Sequence, residues 1–458
     1  MTDYTFFLFF CGFVALGFKR PFLWVLCYCY VDIVSPQKAS WHLLASLPVS
    51  LIVFAAAFGG WLLVDDKRDS RFTYRQGILC ALLVYCGYTT FTADFPVEAL
   101  GKWDWVWKAL LWAIILPLTL RTRLRIEATA LVIVLSLAAI IIPAAIKTVL
   151  GGGGYGMLRL LVDDNTGLFE GSTIAMAAIA AIPLIWWLVR FGTIFPKHWT
   201  VTLFAVALTG ACMLMPIGTQ ARTGLVCLAV LGLLVLRTAK RRFLYMALGS
   251  LALFAAIPFL PKSFTDRMNT IENHKADQSA STRLAVWAWT WNYAKDHPGG
   301  GGFEVYRANK VRYRLKTEPS ADAESEPTYI EEAGRAFHSS YFEMLGEQGW
   351  PGLTLWLWLQ VSGLWQMERL RRKWRKRSEP DERWVAPLAN ALQMAQVVYL
   401  VGALFTGIAY QPFVLMLVGL QCGLWSYLKR IEKPVARRLD QRPRPAPLVA
   451  APEPVRSA

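Results

Sequence analysis

Apolar blocks of roughly 17–25 residues recur along most of this chain, and its basic residues are gathered in the short connectors between them. That block length is the span of a bilayer-crossing helix. The sequence therefore predicts an all-α polytopic membrane protein. Only 17% of its 458 residues are charged and 55% are hydrophobic, whereas soluble domains carry about 25% charged residues. The first apolar run, Tyr4 to Phe18, ends in Lys19-Arg20-Pro21 without a small-residue cleavage site. No cleavable signal peptide is expected.

The net charge of +16 could suggest nucleic acid, but the placement of the charges argues for topology. The basic groups are Arg121/Arg123/Arg125, Arg237/Lys240/Arg241/Arg242, Arg369 to Arg377, and Lys429 to Arg444. Short basic connectors follow the positive-inside pattern, so a nucleic-acid partner is not expected and membrane lipids are. Reading back from the C-terminus, the expected spans are 413–428, 388–409, 347–367, 242–260, 221–236, 198–216, 168–190, 128–149, 103–120, 75–92 and 41–64. Residues 1–35 form either two short helices around Lys19-Arg20 or one broken unit. The expectation is 12 spans with both ends cytoplasmic. It divides into an N-terminal bundle (1–261), an outer loop (262–338), C-terminal spans (339–430) and a disordered Pro/Arg/Ala-rich tail (431–458).

The eight cysteines all lie in apolar segments without metal-type spacing apart from Cys27-Tyr-Cys29, and are expected to be buried free thiols. The outer loop carries eleven basic and eleven acidic side chains, so it is not a simple charge funnel. Within it, Thr282 to His297 reads as a helix bearing Trp287, Trp289, Trp291 and Tyr293. Asp296-His297-Pro298 and the run Gly299 to Gly302 end it. Such aromatic density suits a membrane–water interface.

Five histidines occur; His42, His274, His297 and His338 fall on the outer side and His198 on the inner. His338 stands where the polar loop gives way to an apolar helix. A histidine at a helix start is more often a cap or an interfacial residue, but its neutral ring can accept a proton near neutral pH, as a general base must. Arg222 opens a span on the outer side, against the positive-inside bias. It can snorkel to a lipid phosphate, or hold a diphosphate through its planar guanidinium. Arg283, at the start of the aromatic helix, has the same two uses. Glu343 and Glu347 are four residues apart and share a helix face, where ion pairing or packing of the following turn is their ordinary role. Glu347-Gln-Gly349 and Pro351-Gly352 read as a bend leading into a helix. Asp163 and Asp164 could bind a divalent metal, but adjacent carboxylates do not converge on one ion. Gly151 to Gly156 lacks the Lys-Ser/Thr of a phosphate-binding loop.

The segment from His338 through Glu347-Gln-Gly349-Trp-Pro-Gly352 resembles the signature of the O-antigen ligase / O-antigen polymerase superfamily. Arg222-Thr-Gly224, and Arg283 followed by the Trp-rich helix and the glycine run, are similar to further segments of that family. The N-terminal third, with Gly151 to Tyr155 and Asp163-Asp164-Asn165, looks like a ligase-like subgroup found with exosortase systems. The resemblance implies an inverting, metal-independent glycosyltransferase of the GT-C type in the bacterial inner membrane, with its site facing the periplasm. It would move a glycan from undecaprenyl diphosphate to lipid A–core. By the same resemblance His338 is the base, Arg222 and Arg283 bind diphosphate, and no cofactor is needed. The motif does not separate a ligase from a polymerase or a protein O-oligosaccharyltransferase. A lipid-linked glycan transporter is the reading from another class, disfavoured because the expected spans are nearly free of ionisable residues.

Overall fold

The computed structural model describes residues 2–40, 44–67, 71–150, 167–238, 241–244, 247, 275–314, 329–377, 379 and 381–440. The chain is an all-α polytopic membrane protein, with one short antiparallel pair of strands among the described residues. It opens with two helices, α1 (Thr2–Lys19) and α2 (Phe22–Val34), separated at Arg20-Pro21, then a single turn α3 (Pro36–Ala39). The bundle continues with α4 (Val49–Leu63), α5 (Tyr74–Phe91), α6 (Pro96–Thr119), α7 (Arg123–Leu150), α8 (Gly171–Phe191), α9 (Trp199–Gly218) and α10 (Arg222–Thr238). The long polar segment before His338 contributes α11 (Lys275–Asp296) and the antiparallel strands β1 (Lys310–Arg314) and β2 (Tyr329–Ala333). Helices α12 (Ser340–Trp374), α13 (Val385–Gly402) and α14 (Pro412–Asp440) follow. By length and apolarity α7, α8, α9, α13 and Pro412–Glu432 of α14 can each cross a bilayer.

Local signals set several helix starts. Thr73 and Gln76 form a reciprocal capping box at α5, satisfying donors that a helix start otherwise leaves open. Proline stands at the first position of α6 and α14, where its missing N–H is no loss. Small residues then let helices approach closely, as lipid-embedded packing requires. A Cβ added at Gly402 of α13 would stand 2.5 Å from Met176 of α8. One at Gly423 of α14 would stand 2.5 Å from Leu120, just beyond α6.

The bundle is polarised. Arg125 pairs through two bonds with Asp65 after α4 (2.6 and 2.9 Å), and Arg123 donates to Phe191 O at the end of α8. Arg430 donates to Leu120 O, and Arg237 faces Glu368. These bonds hold basic residues of several connectors against neighbouring helix ends.

Several expected boundaries move. The expected span 388–409 stops at Gly402, because residues 403–411 turn back beneath α12. Ser340 there donates to Thr406 O and accepts from Ile408 N, both at 2.9 Å. Helix α14 runs through Asp440, into the expected tail. The loop helix starts at Lys275, seven residues earlier than expected. The expected span 242–260 and the Gly151–Gly156 run lie almost wholly or wholly outside the described residues. Cys11 is exposed and Cys80 partly so; the other six thiols are buried and all eight are free.

Candidate active site

The frame of the site is a clasp between the glycine run and the start of α12. Gly301 N donates to Gly346 O (3.0 Å), Gly302 N to Glu347 O (2.9 Å) and Trp350 N to Pro298 O (3.0 Å). At the closest approaches, Gly300, Gly301, Gly302 and Gly349, an added Cβ would stand 2.2–2.5 Å from its nearest neighbour. Gly349 adopts φ 61°, ψ −164°, a region essentially reserved for glycine. A Cβ there would fall 2.2 Å from Pro298 O. This residue is the bend expected ahead of the span: α12 kinks at it. Asp94 N holds the loop from the other side by donating to Gly301 O, and the Tyr293 hydroxyl donates to the Asp94 carboxylate.

His338 is held from both flanks. Phe337 before it is buried with Val286 of α11, Val305 and Val311, and its carbonyl accepts from Trp287 Nε1 at 2.8 Å. Trp287 also stacks on Phe342, 4.9 Å between ring centres. Ser340 N donates to Ala403 O at 2.8 Å. Between these anchors His338 takes a left-handed φ of 48°, which costs a non-glycine residue about 1–2 kcal/mol and persists because both neighbours are fixed. The residue as a whole stays exposed, so its loss of hydration is partial. That loss lowers its pKa first, and the positive charges of Arg283 and then Arg335 act in the same direction.

Arg283 is half buried on α11. Burial weakens its charged form; the carboxylate of Glu170 opposes that effect and the charge of Arg222 adds to it. An arginine stays charged throughout. Arg222 is the first residue of α10, after a tight turn in which Gln220 has φ 52° and Ala221 N donates to Pro216 O at 3.0 Å. Arg283 is thus placed so that its charge acts on His338 and, separately, so that the charge of Arg222 acts on it.

Glu343 and Glu347 do share a face, and they turn it toward Lys102 of α6. Lys102 Nζ lies 2.8 Å from Glu343 Oε1, 2.8 Å from Glu347 Oε1 and 3.0 Å from Glu347 Oε2. Glu347 also accepts from Glu304 N and Glu343 from Ala409 N, both at 3.1 Å. The faces of Phe303 and Tyr410 lie 5.5 and 5.3 Å from the ammonium. The two carboxylates thus tie α6, the loop and the α13–α14 connector together. Asp163 and Asp164 lie outside the described residues.

Two residues were missed in the sequence reading. Lys102 was signalled only by what it neutralises, a pair of carboxylates on one face of an apolar helix. Glu170 was signalled only as an isolated acid immediately ahead of a span.

Among known families, residues 1–193 match a family of unknown function, DUF5935, and residues 207–357 match O-antigen ligase. No curated protein matches the chain. The second match contains Arg222, Arg283 and His338 together with the glycine clasp. Residues 207–357 belong to the O-antigen ligase superfamily.

Proposed function

We propose that this protein is an O-antigen ligase, moving a glycan from undecaprenyl diphosphate to lipid A–core at the periplasmic face of the bacterial inner membrane. The observation that carries this reading is that the segment matching O-antigen ligase, residues 207–357, contains His338, Arg222 and Arg283, with the charge of Arg283 acting on both of the others. A base beside two cations is what transfer from a lipid diphosphate needs.

In this reading the ring of His338 removes the proton from an acceptor hydroxyl. The hydroxyl oxygen attacks the anomeric carbon from the face opposite the leaving group. The carbon–oxygen bond to the diphosphate breaks as the new glycosidic bond forms, and the configuration inverts. Charge growing on the departing diphosphate is taken up by Arg222 and Arg283. A diphosphate leaves without a proton from an acid, so one base suffices. The lowered pKa keeps His338 in its proton-accepting form at neutral pH. No metal is required by this scheme.

The test is deletion of the gene in a strain with smooth lipopolysaccharide, followed by gel analysis and complementation. Loss of a ligase leaves bare core and accumulated lipid-linked polymer. Core bearing a single repeat marks a polymerase instead, and unchanged lipopolysaccharide with altered glycoprotein marks a protein O-oligosaccharyltransferase. Retention of wild-type ligation by His338→Ala would overturn the mechanism, and loss of activity in EDTA would overturn its independence of metal.

A further inference from the structure

Residues 335–338 run from the end of β2 toward α12 outside any helix or strand, and left-handed residues stand on either side of Arg335: Gly334 at φ 67° and His338 at φ 48°. Such a stretch is placed by what its main chain is bonded to. Trp287 holds it at the Phe337 carbonyl, and the connector after α13 holds it at Ser340. A third anchor is Asn309, fully buried just ahead of β1. Its Oδ1 accepts from Arg335 N at 3.0 Å, and its Nδ2 donates to Arg335 O at 2.6 Å. Its own carbonyl accepts from Gly334 N, and its own N donates to Tyr306 O, both at 3.0 Å. The strand ladder ends with Lys310 opposite Ala333. The carboxamide thus stands in for one further peptide group of that ladder, after Gly334 has turned the chain aside. A main-chain N–H can only donate and a carbonyl can only accept, so these partners fix which way the carboxamide points. Behind it, Arg307 N donates to Glu304 O at 3.0 Å and Glu304 N to Glu347 Oε1 at 3.1 Å. Asn309 is therefore tied back to the start of α12.

Resting on the ligase reading above, we propose that Asn309 is a positioning residue for the base: its carboxamide clamps the main chain three residues ahead of His338 and so sets where the imidazole stands. A left-handed histidine keeps its conformation when the chain on both sides is fixed. A general base must in turn sit within hydrogen-bond reach of the proton it takes. Arg335 is exposed, so water can bond its main-chain groups once the carboxamide is gone. Water replaces those bonds without fixing the chain. Loss of Asn309 should therefore disturb the imidazole more than it disturbs the fold. Asn309 has no exposed surface, so it touches neither donor nor acceptor and acts through His338.

The experiment uses the full chain in nanodiscs, with kcat and KM for the lipid-linked donor measured beside the ring signals of [15N]histidine-labelled protein. The His338 signal is assigned by its loss in His338→Ala, and His198, beyond α8, serves as the internal control. Asn309→Ala is expected to lower kcat by about 10–100-fold, the cost of a base displaced by an ångström or so. KM for the donor should stay within about twofold, since no donor contact is removed. The His338 signal should move or broaden while that of His198 keeps its place. Where Asn309→Ala does not fold, Asn309→Asp serves: it has the same size and can still accept from Arg335 N. Its second oxygen would face Arg335 O, so it should lower kcat and move the His338 signal in the same way, less far. A folded variant with wild-type kcat, or with an unmoved His338 signal, overturns the proposal; so does a KM that rises in step with the loss of kcat. Wild-type transfer by His338→Ala overturns the base reading and this role with it. Transfer lost in His338→Ala but kept in Asn309→Ala overturns this role alone.

Discussion

The ammonium of Lys102 lies 2.8 Å from Oε1 of Glu347, whose side chain has no exposed surface. This pair joins residues 245 positions apart, one in the N-terminal family region and the other in the ligase-family region. A buried charge left without its partner is expensive. Lys102→Met should lower stability by about 3–5 kcal/mol, read as thermal unfolding in detergent. Combining it with Glu343→Gln and Glu347→Gln should restore part of the loss, since no uncompensated charge then remains. A triple variant less stable than Lys102→Met would count against this account.

The pH profile of transfer should report His338. Its pKa lies below the ordinary histidine value, and a base acts in its neutral form, so activity should persist on acidification to below about 6.5 before it falls. Arg335 is exposed, bonded to Glu332, and contributes to the shift. Arg335→Gln should therefore move the acidic limb upward, toward the ordinary value, with the plateau rate unchanged. A downward movement would reverse the sign of the argument.

Arg222→Ala and Arg283→Ala should each reduce the transfer rate by about 10²–10³-fold, as loss of other groups that stabilise leaving charge does. If Arg222→Ala raises KM alone and leaves kcat intact, that arginine holds the ground state and not the departing diphosphate.

Gly349→Ala should destabilise the protein by at least about 2 kcal/mol, from backbone strain and from collision of the new Cβ with Pro298 O. Gly334→Ala is the control. It also has a positive φ, but its Cβ would meet nothing nearer than 4.0 Å, so it should lose about half as much or less. Equal losses measured by chemical unfolding would show that strain alone, and not the clasp, matters at 349.

The apolar blocks made most helices legible because a bilayer imposes one length and one pattern on every span. The expected 128–149 is Arg123–Leu150, and the expected 198–216 is Trp199–Gly218. The His338 segment and the bend at Gly349 were legible because both are local. What stayed hidden was set by distant partners. Leu404, Phe405, Ile408 and Tyr410 are as apolar as a span, yet they form a connector because Ser340 and Glu343 bind its backbone. The glycine run read as a helix stop, and nothing near it in sequence discloses that it grips residues 346–350. Glu170 and Lys102 are single charges whose meaning depends on groups more than 100 positions away.

The clasp has one more consequence. The bonds joining residues 298–302 to residues 346–350 run between main-chain atoms. The distance between α11 and the start of α12 is thus gauged by peptide groups, which every sequence shares. Exchange of the aromatic side chains of α11 other than Trp287, which fixes the Phe337 carbonyl beside His338, leaves this main-chain gauge in place. Side chains along that helix can therefore vary while the spacing of residues 298–302 and 346–350 is kept by the main chain.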